Sequence, residues 1–214
     1  MKNPLFLTLV LTLAISSPLF SAEILAKWDL SGEDGAQEEV LSTKESLASG
    51  LQASPLTRGT GLFPTKSSSF TEDGFAASST PQTQTIEDAV RNQTFFEVTL
   101  TPEKGKSLDL DSVCFASKRA SKNSGPNLLI VRTSLDGFSD DVSLPTEVQK
   151  IDGPDACDID LLFDGGLRNV TEAITLRFYG FNRKQPDNPD GGVWVINNHS
   201  EIEGFAIKGT VSPK

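Results

Sequence analysis

Apolar residues in this chain recur at every second position over short runs, and clusters of Gly, Pro, Asp and Asn separate those runs. Successive side chains of an extended strand point to opposite faces, so a period of two marks a strand with one buried and one solvated face. Ile24, Ala26, Trp28 and Leu30 fall on one face of the first such run. Phe96, Val98 and Leu100 line the next clear one, between Thr94 and Thr101. Leu129, Val131 and Thr133 line another, which ends at an Asp136-Gly137 turn. Ile174, Leu176 and Phe178 share a face with Arg177 and Tyr179 opposite, and Phe205, Ile207 and Val211 align in the last run. Leu108 and Leu110 share one parity while Val113 and Phe115 have the other, which predicts a bulge near Asp111-Ser112.

Helix is weakly indicated. Glu38–Leu47 and Ile86–Val90 suggest single helical turns, and the Ser/Thr/Gly-rich passage from Ser31 to Gln84 disfavours more. Many short strands with frequent turns predict an all-β fold, an antiparallel β-sandwich of jelly-roll form. Neither terminal run has a close partner in sequence, so the first and last strands are expected to pair.

The opening residues follow a different logic. Met1-Lys2-Asn3-Pro4 leads into an apolar run from Leu5 to Ile15, followed by Ser16-Ser17-Pro18-Leu19-Phe20-Ser21-Ala22. A basic start, a short apolar stretch and a small-residue exit predict a signal peptide over residues 1–22. A membrane-spanning helix needs about 20 apolar residues, more than this run offers. Residues 23–214 are then one domain, expected in the periplasm, the cell envelope or the extracellular space. No further apolar stretch follows, so no membrane span is expected in the mature protein.

The net charge of −10 includes Lys2, so a mature domain is more acidic still. A field of that sign repels phosphate backbones and anionic lipid, which excludes nucleic acid as an expected partner. Two cysteines, Cys114 in an apolar strand and Cys157 in an Asp-rich loop, are disulfide candidates in an oxidising compartment, with two free thiols as the alternative. A bridge would close a loop of about 43 residues, for which chain entropy gives roughly 4 kcal/mol.

Phe95-Phe96-Glu97-Val98-Thr99-Leu100-Thr101-Pro102 precedes Gly105 and Leu108-Asp109-Leu110-Asp111-Ser112-Val113. Val131-Arg132-Thr133-Ser134-Leu135-Asp136-Gly137-Phe138 follows a Ser124-Gly125-Pro126 turn. Ile174-Thr175-Leu176-Arg177-Phe178-Tyr179-Gly180-Phe181 and Ile202-Glu203-Gly204-Phe205-Ala206-Ile207-Lys208-Gly209-Thr210-Val211 complete the series. Together these resemble the secreted β-sandwich domains of bacterial exported proteins that carry a PEP-CTERM sorting tail. The resemblance implies a structural framework and no established activity. The Val-Pro-Glu-Pro motif, apolar helix and basic end of that tail are not found, so release after export is expected. Ser134-Leu135-Asp136-Gly137 also resembles a strand-end turn of discoidin-like jelly rolls, with a hairpin glycine at positive φ as its ordinary meaning.

Catalytic schemes find little support. His199 is the one histidine, it sits in a polar turn where an exposed position is expected, and no Gly-x-Ser-x-Gly elbow surrounds any serine. Acidic residues crowd two stretches, which supports a structural calcium site through Asp155, Asp158, Asp160, Asp187 and Asp190, since calcium takes six to eight oxygen ligands. No other cofactor is implied. Trp28 and Trp194 share parity with core residues. Tyr179 and Arg177 are therefore the expected outward pair for a ligand, a glycan or an envelope component. The sequence predicts a non-enzymatic binding or structural module. The alternative is a carboxylate-based carbohydrate enzyme, a glycosidase or lyase, which needs two acids facing each other across a groove. Asn92, Asn169 and Asn198 head N-glycosylation sequons, relevant in a eukaryotic secretory route.

Overall fold

The structure is a computed structural model that describes residues 22–32, 34–65, 74–79, 83–119, 125–148, 157–182 and 192–214. The predicted signal peptide falls almost wholly outside these residues, as do Asp155, Asp187 and Asp190. The described strands are β1 (Glu23–Trp28), β2 (Leu51–Ala53), β3 (Thr57–Arg58), β4 (Leu62–Pro64), β5 (Phe75–Ser79), β6 (Phe95–Pro102) and β7 (Lys106–Arg119). They continue as β8 (Leu128–Thr133), β9 (Thr146–Glu147), β10 (Cys157–Val170), β11 (Ile174–Phe181), β12 (Val193–Asn197) and β13 (Phe205–Pro213). One helix, α1 (Ile86–Arg91), and two single 3-10 turns complete the described elements. No helix among the described residues is long and apolar enough to cross a membrane.

Two antiparallel sheets face each other. The first runs β1-β13-β7-β12-β5-β4, with β10 on the other edge of β7; the second runs β2-β6-β11-β8-β9, with β3 sharing an edge of β6 with β2. One long edge of β7 carries β12 opposite Ala116–Arg119 and β13 opposite Lys106–Cys114. These two strands thus act as one strand interrupted by the turn at 198–204. Counted that way, β5-β12/β13-β7-β10 stacks on β6-β11-β8-β9, and the chain crosses between the blocks as a jelly roll does. The first and last strands pair, Trp28 opposite Phe205 and Glu23 opposite Gly209, as expected.

The core follows the alternation. Phe96, Val98, Leu100, Leu129, Val131, Ile174, Leu176 and Phe178 are all fully buried between the sheets. Trp28, Phe115, Phe178 and Phe205 form an edge-to-face and tilted cluster with centroids 5.2–6.3 Å apart, the arrangement aromatic quadrupoles favour. Both indole N–H groups are satisfied, Trp28 by the Ser54 carbonyl at 3.0 Å and Trp194 by the Ser117 hydroxyl at 2.9 Å. The predicted bulge is present. Lys208 faces Ser112 and Gly209 faces Leu110, leaving Asp111 as the extra residue that brings Val113 and Phe115 back inward.

Three predictions of local structure are corrected. Ile24 is exposed, because Leu25 is an extra residue between the Ile24–Lys208 and Ala26–Ile207 pairs and takes the core position instead. The helical turn expected over Glu38–Leu47 contracts to one 3-10 turn, Lys44–Ser46. The Asp-rich segment after residue 156 is no loop. It is β10, where Ile159, Leu161 and Phe163 are buried and Asp158, Asp160, Leu162 and Asp164 face solvent.

β10 also rules out the disulfide. Asp160 pairs with Cys114, whereas Cys157 pairs with Ser117, three rungs further on. Three residues of strand span about 10 Å, beyond the roughly 7 Å limit between bridged Cα atoms. Cys114 is a free, buried thiol.

Candidate ligand-binding face

The outward face of the second sheet carries three cross-strand rungs of different chemistry. Registers place Thr57 of β3 opposite Glu97 of β6, Glu97 opposite Arg177 of β11, and Arg177 opposite Arg132 of β8. A β-bridge then joins Arg132 to Asp141. Along this charged rung Arg177 Nε donates to Glu97 Oε2 at 2.6 Å, and Arg132 Nε donates to Asp141 Oδ1 at 2.6 Å. Burial works against the Arg177 cation, but hydrogen bonds with Glu97 and Tyr179 more than offset it and hold its pKa above the ordinary value.

The neighbouring rung is made of hydroxyls. Thr99 and Thr175 share a hydrogen bond between their Oγ1 atoms at 2.8 Å. On one side the Ser54 hydroxyl accepts from the Thr99 amide, and on the other the Ser134 hydroxyl accepts from the Thr175 amide. All four residues are half-exposed. Together, the two polar rungs form a shallow platform.

The third rung, Phe95, Tyr179 and Ile130, is apolar, and α1 lies over it. Thr85 caps that helix reciprocally with Asp88, a capping box. Ala89 sits against Phe95 and Tyr179, whose rings meet edge-on with centroids 5.3 Å apart. Here a sequence prediction is corrected. Tyr179 does point away from the central core, yet it is only 1% exposed, because a helix from another part of the chain covers it. Its phenol is shifted above the ordinary value, chiefly by burial. Arg177, at 29% side-chain exposure, stays accessible. The expected outward pair is therefore one open residue supported by a buried one.

Phe138 closes the other side of the platform. Its ring lies 3.8 Å from the Arg177 guanidinium carbon, and Phe95 lies 4.3 Å from the same atom. The cation is thus held between two aromatic faces. Phe138 has φ +64°, a left-handed backbone that side chains with a Cβ disfavour. The Asp136 carboxylate holds it there by accepting from the amides of Phe138 at 3.0 Å, Ser139 at 3.3 Å and Asp140 at 2.8 Å. Gly137 supplies the expected positive φ of the turn. Backbone strain of this kind concentrates at functional sites. The signals for Phe138, Glu97, Arg132 and the hydroxyl rung were not read from the sequence. The parity of Thr99 and Thr175, opposite the inward stripes of their strands, was the available clue.

The other candidate residues lie on the first sheet. Asp158 accepts from the Ser200 amide at 3.0 Å and from its hydroxyl. Asp160 is held below the usual carboxylate range by a hydrogen bond from the Cys114 thiol, with His199 and Lys208 adding to it. These two acids therefore fasten the 198–204 turn onto β10. Among the described residues no group of three or more His, Cys, Asp or Glu side chains could hold a metal.

His199 is 4% exposed rather than a solvated loop residue. Its Nδ1 accepts from the Glu201 amide and its Nε2 lies 3.5 Å from Asp160 Oδ2. Cys114, Asp160 and His199 resemble a nucleophile set in composition alone. Asp160 stands between thiol and imidazole, and burial together with Asp160 pushes the Cys114 thiol up to about 11, away from the thiolate that attack requires.

An open hollow of about 570 Å³ on the same sheet is lined by Glu23, Asp109, Asp111 and Arg168 among others. Asp111 pairs with Arg168 at 2.5 Å and Asp109 accepts from the Asn169 amide at 2.7 Å. A second hollow of about 430 Å³ lies beside His199, lined by Lys27, Asp29, Asn198 and Glu203 among others. Asn198 donates to Ser31 and Asp29 there.

No protein-family model and no curated protein matches the chain. Among solved structures, a family 11 carbohydrate-binding module from Clostridium thermocellum, in complex with a β-1,3-1,4-mixed-linked tetrasaccharide, is similar in fold. It is 14% identical, with 86% of this chain and 95% of that one covered, at a TM-score of 0.33. A likeness this distant fixes neither ligand nor site.

Proposed function

We propose that the protein is an exported, non-enzymatic β-sandwich module that binds a glycan of the envelope or its surroundings on the outer face of the second sheet. The observation that carries this reading is the platform itself: a charged rung and a hydroxyl rung, side by side and half-exposed, with a strained aromatic clamped over the central guanidinium. Hydroxyls donate and accept, and a guanidinium paired with a carboxylate sets donors beside acceptors, which suits the hydroxyls of a sugar. Strands hold such groups more firmly than loops do. The apolar face beneath leaves the platform no freedom to collapse.

A glycan screen of the mature protein followed by titration of Arg177→Ala and of the double variant Thr99→Val/Thr175→Val tests the reading. Each change should weaken binding by about tenfold or more, in line with an interfacial side chain worth above 1 kcal/mol. Binding that survives both changes would refute the face as the site.

The hollow around Glu23, Asp109 and Asp111 supports a second reading, a carboxylate-based carbohydrate enzyme. Asp109 and Asp111 there already have protein partners, and a general acid needs a raised pKa. Among the described residues, the shifted carboxylates Asp29, Asp88, Asp136 and Asp160 are all held low. Glycan turnover abolished by Asp109→Asn would favour the enzyme over the binding module.

A further inference from the structure

We infer that the platform selects uncharged glycans over acidic ones, an inference that rests on the reading of this face as a glycan site. Arg132 and Arg177 are the cations of the charged rung, and both are already neutralised, by Asp141 and Glu97 at 2.6 Å. An incoming uronate or sulfate would have to displace those carboxylates, each held by the strand pairing that also holds its arginine. The rim loop adds Asp136 and Asp140, both exposed, and no cation. Asp136 is committed to three backbone amides and keeps its negative charge beside Phe138. Two cations thus stand among four carboxylates, in a chain whose net charge is −10. Like-charge juxtaposition at an interface is strongly unfavourable and also slows encounter. The hydroxyl rung makes no charge demand and offers only the donors and acceptors a neutral sugar can match.

The test measures affinity for neutral oligosaccharides and for matched ones carrying uronate or sulfate, at low and high salt. Neutral ligands should bind at least about tenfold more tightly at low salt, and the gap should narrow as salt screens the carboxylates. Asp140→Asn should raise affinity for the acidic ligands several-fold and leave the neutral ones unchanged, since the Asp140 side chain takes no part in holding Phe138. Preferential binding of acidic glycans would overturn this inference while leaving the face as a glycan site. Failure to bind any glycan, neutral or acidic, would overturn both.

Discussion

Phe138 offers a direct measure of whether the platform stores strain. At φ +64° its Cβ meets the backbone unfavourably, a penalty of about 1–2 kcal/mol for a residue other than glycine. Phe138→Ala keeps that penalty and loses the ring stacked 3.8 Å from the Arg177 guanidinium, a contact of about 0.5–2 kcal/mol. Phe138→Gly loses the same ring but is relieved of the left-handed penalty. Against that relief, glycine gives up about 0.5–1 kcal/mol through the extra freedom of its unfolded chain. The glycine variant should therefore be the more stable of the two by roughly 0.5–1 kcal/mol, the reverse of their usual order in a strand or helix. Urea unfolding midpoints with matched slopes read the difference. Both variants should lose glycan affinity together, since both lack the ring. An alanine variant as stable as the glycine one, or more so, would refute the claim that the Asp136 cap holds Phe138 against its backbone preference.

Asp29 is held low by hydrogen bonds from the Ser31 side chain and backbone, and Asp160 by the Cys114 thiol. Asp136 is held low by the amides of its own loop, which outweigh its burial. A depressed folded-state pKa contributes stability above the unfolded value near 4 and loses it as pH falls further. Urea midpoints should therefore be level from about pH 7 to 5 and fall below about pH 4; midpoints unchanged at pH 3 would contradict these assignments. Cys114 should not react with a thiol reagent at pH 8 in the native protein, and two thiols should titrate in unfolded, unreduced protein; none would restore the disulfide. Deleting Asp111 removes the bulge and must turn either Leu108 and Leu110 or Val113 and Phe115 out of the core, a loss of about 3–6 kcal/mol. An unaltered urea midpoint would show that β7 does not need the extra residue. With Asp158 and Asp160 assigned to the 198–204 turn, the calcium proposal rests on Asp155, Asp187 and Asp190. A higher melting midpoint in calcium than in chelator supports it, and identical midpoints end it.

The two sheets were legible because period two is a local signal. Each of Phe96, Val98, Leu100, Ile174, Leu176 and Phe178 declares its face through its immediate neighbours. The parity break in β7 was legible for the same reason. β10 was misread because its outward positions are mostly aspartate, a residue depleted from strands. Its Ile159, Leu161 and Phe163 carried the right alternation all the same. Acid content outweighed pattern in a place where pattern was the better guide.

The candidate site was only half legible, and Tyr179 shows why. Parity assigns a residue to the inner or outer side of its own strand, and for Tyr179 that assignment was right. It cannot report what another segment lays over the outer side. Ile86–Arg91 covers the Tyr179 end of the face, and the Ser134–Asp140 loop folds Phe138 over its middle. Both covers depend on long-range packing, and neither leaves a mark in the sequence of β11. The result divides one face into a closed apolar end and an open polar centre. The Phe95 ring links the two: it meets Tyr179 edge-on beneath α1 and also lies 4.3 Å from the Arg177 guanidinium carbon, which Phe138 approaches from the loop. The loss of one expected contact residue comes from the helix, and the rigidity of the remaining one from the Phe95 and Phe138 rings.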